Sequence, residues 1–184
     1  MKKILIILTI ITLLCGCNFN IENISNTPTK QVEEYLNNYQ KLTSEVLSDL
    51  ELVVERENDF NTDQKEKYKY LMKRNFKNMA YKIKDETVNG DNAMVEVEIT
   101  VYDYYKVISS ADNYLDNNID EFTKEDGNIE SDKFIDYKLD RMEKNTDKVK
   151  YTIYFNLSKN EKGKWIMDEV SESDEEKILG IYEY

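Results

Sequence analysis

The sequence has 184 residues, 25 basic against 37 acidic side chains, a formal charge of −12 and no histidine. The missing imidazole removes Ser-His and Cys-His nucleophile systems, histidine acid–base catalysis and nearly every zinc site. The acidic balance repels phosphate backbones and sets nucleic acid aside as a partner.

The chain opens Met1-Lys2-Lys3, runs apolar from Ile4 to Leu14 and continues Cys15-Gly16-Cys17. A basic start, a short apolar stretch and a small residue before a cut site make a secretory signal. The apolar run has 11 residues, short of the roughly 20 needed to cross hydrocarbon. Leu14-Cys15-Gly16-Cys17 resembles the lipobox of bacterial lipoproteins. That resemblance implies a cut between Gly16 and Cys17 and a diacylglyceryl group on the Cys17 thiol. The expectation is a signal peptide over 1–16, a lipidated tether over 17–26 and a single domain over 27–184. The domain then sits on the extracytoplasmic face of a bacterial membrane, with that membrane as its partner through the lipid on Cys17. Loss of Lys2 and Lys3 leaves 23 basic against 37 acidic residues, a charge of −14, and Cys17 as the sole cysteine. Stability must then come from a packed core without disulfides.

Thr27-Pro28 is a hydroxyl cap followed by proline, a strong helix start. Val32, Leu36, Tyr39, Thr43, Val46, Leu50 and Val53 keep 4-3 spacing, which predicts one long amphipathic helix. Thr62 is read as the cap of a second helix carrying Tyr68, Leu71, Met72, Phe76 and Met79. The period then falls to two. A strand is expected over 81–88, a hairpin turn at Asn89-Gly90-Asp91-Asn92, and a strand with Ala93, Val95, Val97, Ile99 and Val101 on one face. Ser110 is read as capping a third helix, and Ser131 as starting a fourth with Ile135, Leu139 and Met142 on its stripe. Val149, Tyr151, Ile153, Phe155 and Leu157 alternate in a third strand, and residues 164–170 return as a fourth. A short helix over 173–182 ends the chain. Lys148 and Lys150 are expected to face Glu96 and Glu98. The order makes an α+β domain with an antiparallel sheet.

Lipobox, tether and Thr27-Pro28 are joined by Val101-Tyr102-Asp103-Tyr104, Asp136-Tyr137-Lys138-Leu139, Tyr151-Thr152-Ile153 and Gly163-Lys164-Trp165. Together they resemble the small exported lipoproteins of Gram-positive bacteria, a group of largely unknown function. The resemblance implies a domain like nuclear transport factor two, or cystatin-like: a cone-shaped antiparallel sheet wrapped by N-terminal helices. A helical pair inserted between the central strands departs from the simplest form of that fold.

Carboxylate, Lys and Tyr are the groups left for chemistry. If alternation runs on past Val101, Asp103 and Tyr105 reach the apolar face, where Tyr151 joins them. Enzymes of this fold place an acidic base and tyrosine donors in the cone, so Asp103, Tyr105 and Tyr151 form the candidate pocket for proton abstraction beside a carbonyl. Two alternatives stand beside this reading: the strand ends or bulges near Tyr102 and turns Asp103 to solvent, or tyrosine hydroxyls satisfy a buried Asp103. Asp112, Asp116, Asp120, Glu121, Asp126 and Asp132 crowd the inserted helices, but their spacing is not that of a calcium-binding loop and solvated helix faces account for them. No metal or cofactor is expected. Fourteen tyrosines suit an interface or glycan stacking as well as a half-buried sheet. The leading expectation is a non-enzymatic surface lipoprotein that binds an envelope protein or small ligand. A proton-transfer enzyme centred on Asp103 and a passive envelope component are the competing classes.

Overall fold

The computed structural model describes residues 26–184. The signal sequence, Gly16, Cys17 and nearly all of the tether lie outside the described residues. Six helices and four strands follow in the order α1 (Pro28–Lys41), α2 (Ser44–Arg56), α3 (Thr62–Asn78), β1 (Ala80–Asn89), β2 (Asn92–Tyr102), α4 (Tyr104–Asn117), α5 (Ser131–Lys144), β3 (Lys148–Lys159), β4 (Trp165–Met167) and α6 (Glu172–Leu179). A short 3-10 turn, Ile119–Phe122, links α4 to α5. The sheet is antiparallel in the order β1-β2-β3-β4 and open at both edges. The fold is α+β, with a helical pair between the central strands.

Alternation fixes which face of the sheet is buried. Val95, Val97, Ile99 and Val101 have no exposed surface, and Val97 stands opposite Ile153, Ile99 opposite Tyr151 and Val95 opposite Phe155. Val32 and Leu36 of α1, Leu50 of α2 and Leu71, Met72 and Phe76 of α3 close over this face in the same core. A one-residue slip of β2 would expose all of its buried set, so the apolar pattern alone specifies register. Lys150 meets Glu98 across the sheet at 3.0 Å. Lys148 does not reach Glu96: its register places it opposite Tyr102, and its ammonium donates to the Asn78 carbonyl.

The expected long first helix is two helices. Leu42 takes a left-handed conformation at φ 53° and closes α1, and Thr43 is extended and begins α2. Threonine is a poor helix interior residue; Thr43 stands at the N-cap position of α2 without a side-chain cap bond, and the turn re-aims α2 so that Val54 rather than Val53 is fully buried. The second start moves by one residue: Asn61 caps α3, in a reciprocal capping box with Gln64. The last strand is three residues long.

The inserted pair has a small core of its own, Ala111, Phe122 and Phe134. Tyr114 stacks on Tyr137 with ring centres 5.2 Å apart, and Phe122 meets Phe134 edge-on at 5.3 Å. This aromatic cluster holds α4 against α5 as a rigid antiparallel pair, with the start of α4 and the end of α5 on the same side of the domain.

Candidate functional site

Asp103 is the hinge between sheet and insertion. β2 ends at Tyr102, and the Asp103 carboxylate caps α4 by accepting from the Lys106 N–H at 3.1 Å. β2 stops one residue before Asp103, whose backbone at φ −84° and ψ 77° turns the chain from strand into helix. The side chain is nonetheless only 5% exposed, since the C-terminal segment folds over it. The Tyr184 hydroxyl donates to its second oxygen at 2.8 Å.

Tyr105 sits in the first turn of α4, not on the sheet face, with its ring 5.5 Å from that of Tyr184. Tyr151 points inward from β3 as alternation predicts, its hydroxyl donating to the Tyr182 carbonyl at 3.2 Å and its ring 6.2 Å from Tyr184. The three candidate residues thus share a neighbourhood, but Tyr184 fills the space between them. Burial, with the Asp103 charge adding to it, pushes the Tyr151 hydroxyl far above the ordinary tyrosine range. The hydrogen bond to Asp103 likewise raises Tyr184. A general base needs a free lone pair aimed at substrate. Each Asp103 oxygen accepts one protein hydrogen and keeps a second lone pair, but none of the cavities described below is lined by Asp103, Tyr105 or Tyr151, so no space for a substrate meets it there.

Gly180 locks this region. Its carbonyl accepts from both the Tyr104 and Tyr105 N–H groups at 2.9 Å, leaving no free donors in the first turn of α4. Its φ is +77°, and a Cβ there would lie 2.2 Å from the Tyr102 carbonyl oxygen, so only glycine fits.

The acidic residues of the insertion do not converge. Asp112 pairs with Lys138 at 3.5 Å, Glu121 accepts from the Tyr114 hydroxyl and Asp126 from the Asn128 N–H. Among the described residues no three carboxylates or other ligand groups gather within reach of one ion.

A cleft of about 490 Å³ opens between α4 and α5. Lys106, Val107 and Ser110 line it from α4, Tyr137, Arg141 and Lys144 from α5, and Asn145 and Asp147 from the loop that follows. Its volume falls in the range of small-molecule sites. Lys106 pairs with Asp147 at 3.2 Å, both side chains remaining well exposed. Arg141 donates to the Tyr137 hydroxyl at 2.8 Å. Asn145 is committed to structure, its amide bonded to the Asp103 and Asp147 carbonyls and its oxygen to the Asp147 N–H. On the opposite flank of α5, a smaller hollow of about 220 Å³ is lined mainly by Phe60, Tyr68, Ile108, Ile135, Leu139 and Met142.

Reading the sequence for its apolar stripes passed over this cleft. The available signal was a second 4-3 series on α5, Tyr137, Arg141 and Lys144, opposite the buried Ile135, Leu139 and Met142, together with Lys106 and Ser110 one turn apart on α4.

No family model matches the chain, and no curated protein matches it. A solved structure of a candidate lipoprotein, YcdA from Bacillus subtilis subsp. subtilis str. 168, is similar over 67% of this chain and 39% of its own, at 14% identity and a TM-score of 0.41. The chain therefore spans well under half the length of that neighbour. Among the described residues no helix is long and apolar enough to cross a membrane.

Proposed function

We propose that the protein is a lipid-anchored module on the outer face of the cell membrane, which binds a ligand in the α4–α5 cleft and performs no chemistry on it. The anchor rests on Leu14-Cys15-Gly16-Cys17. From Cys17, nine tether residues stretch to about 30 Å at ~3.3 Å each, which keeps the domain near the bilayer. The observation that carries the binding reading is the cleft of about 490 Å³ lined by side chains from both inserted helices.

The same reading fits a departure from the cone-shaped domain that the sequence resemblance implies. In the simplest cone the sheet interior is the place for a ligand. Here that face is filled by the chain's own side chains, Val97, Ile99 and Ile153 among them, and the concave surface is supplied by the insertion instead. Asp103 serves as cap and as anchor for Tyr184, which argues against the proton-transfer alternative.

The test is native mass spectrometry of the full chain in neutral detergent after exposure to envelope extract from its host. A retained mass lost in Ser110→Trp, which fills the cleft from an exposed helix position, is the expected result. Equal retention by that variant, or no retention by either protein, would overturn the proposal.

A further inference from the structure

The walls of the cleft carry an asymmetry of hydrogen-bonding type. Lys106, Ser110, Tyr137, Arg141 and Lys144 all present donors, while Asp147 is the one carboxylate in the lining. The Tyr137 hydroxyl accepts from Arg141, which leaves its own hydrogen free to point outward. Arg141 and Lys144 have no carboxylate within 4 Å among the described residues. Three cations against one carboxylate leave a local charge of about +2 in a chain whose overall balance is strongly negative. Long-range repulsion acts over roughly a Debye length of 8–10 Å, so at physiological salt the cleft's own charges dominate inside it. Val107 supplies the apolar remainder of the wall, since the Tyr137 ring is stacked on Tyr114 and lies beneath the Arg141 guanidinium.

We infer that the cleft takes a small phosphate monoester whose organic part packs against Val107. This deepens the binding reading above and rests on it. A phosphate monoester carries −1.5 to −2 charges near neutrality and three acceptor oxygens, which matches the excess of cations and the run of donors. A carboxylate supplies half that charge and fewer acceptors. The Arg141 guanidinium offers its planar fork to two phosphate oxygens, the arrangement that makes arginine–phosphate contacts strong and directional. Lys144 and Lys106 complete the charge, and Lys106 exchanges its exposed pairing with Asp147 for the ligand at little cost. Arg141 and Lys144 also stand in the last turn of α5, where cations favour the helix dipole. That role alone predicts an effect on stability and none on ligands.

Calorimetric titration of the full chain in neutral detergent with phenyl phosphate, phenol and benzoate decides between them. The expected order has phenyl phosphate at least about ten-fold tighter than either other probe. Arg141→Gln should weaken phenyl phosphate by about ten-fold or more, and Lys162→Gln, which removes one charge from the distant β3–β4 turn, should leave it unchanged. Equal affinities for the three probes would overturn the assignment, as would equal behaviour of the two variants, or a lower melting temperature for Arg141→Gln with binding intact. If phenyl phosphate fails to bind while an envelope ligand is retained and is lost in Ser110→Trp, the phosphate assignment falls and the binding cleft stands. If neither binds, both fall.

Discussion

Asn75 lies mid-helix in α3 with no exposed surface, and it ties three elements together. Its amide donates to the Ile178 and Leu179 carbonyls at the end of α6, and its oxygen accepts the Tyr102 N–H at the end of β2. Asn75→Ala would take their partner from the Ile178 and Leu179 carbonyls and the Tyr102 N–H, one of these bonds buried and two partly buried. Unpaired groups of that kind cost about 1–3 kcal/mol each, and partial relaxation should leave a loss of ~2–4 kcal/mol, measurable by urea unfolding. Asparagine within a 4-3 apolar series reads as a gap in the stripe, so its role could not be seen from the sequence. Asp103 was visible as an unusual residue, and a strand ending near Tyr102 and a buried carboxylate bonded by tyrosine hydroxyl were both among its alternatives; that Tyr184 is the tyrosine was not legible, because a parity rule cannot tell the last strand residue from the cap that follows. Asp103→Asn keeps one acceptor oxygen for the Lys106 N–H and turns its other end into an NH2 donor, to which the Tyr184 hydroxyl can turn its oxygen. It should cost less than ~1 kcal/mol and leave binding in the cleft unchanged in a ligand-retention assay. Loss of a turnover activity in that variant would instead restore the enzyme reading.

The elements set by a continuous physical pattern were the most legible. The strict alternation of β2 and β3 reappears as buried and exposed faces of the sheet, and the Asn89–Asn92 turn as a hairpin whose glycine has φ +62°. Boundaries set by one cap were less so. α4 begins at Tyr104 rather than near Ser110, since Asp103 makes the cap bond and Ser110 lies on an exposed helical flank. The break at Leu42 was hidden because the stripe keeps its spacing through the turn. Packing of α6 against α1 and α2 brings Glu175 toward Asp49 beside Tyr39 and Leu179. Burial raises the Glu175 carboxyl above its usual range, and Asp49, Glu169 and Glu172 add to the shift while Arg56 opposes it. The folded state therefore holds this proton more tightly than the unfolded chain. Its contribution is fully present below the unfolded pKa and is lost as pH rises through the unfolded and then the folded value. Glu175→Gln should accordingly stabilise the protein at pH 7 by less than ~1 kcal/mol, given the exposure of the site. That gain should fade in unfolding curves taken as pH falls toward 4.

For the whole molecule, fold class and the placement of the helical pair followed from the order of periods along the chain. What the pair encloses did not. A cleft arises from how two faces meet, and neither face of α4 or α5 alone records it. The anchor is the reverse case: it is proposed from Leu14-Cys15-Gly16-Cys17 alone, which lie outside the described residues. Cys17→Ser removes the only thiol able to carry the lipid. That variant should stay uncut or be lost from the membrane fraction, read out by intact mass and by fractionation. Two or more acyl chains bind a bilayer far more firmly than one, so the wild-type chain should resist extraction by high salt.

The central claim is that ligand sits between α4 and α5. Hydrogen–deuterium exchange on the full chain, with and without ligand captured from envelope extract, locates it directly. Slower exchange confined to residues 106–110 and 137–147 is the predicted result. Protection at the outer face of the sheet or at the β1 edge, with the cleft unchanged, would contradict it.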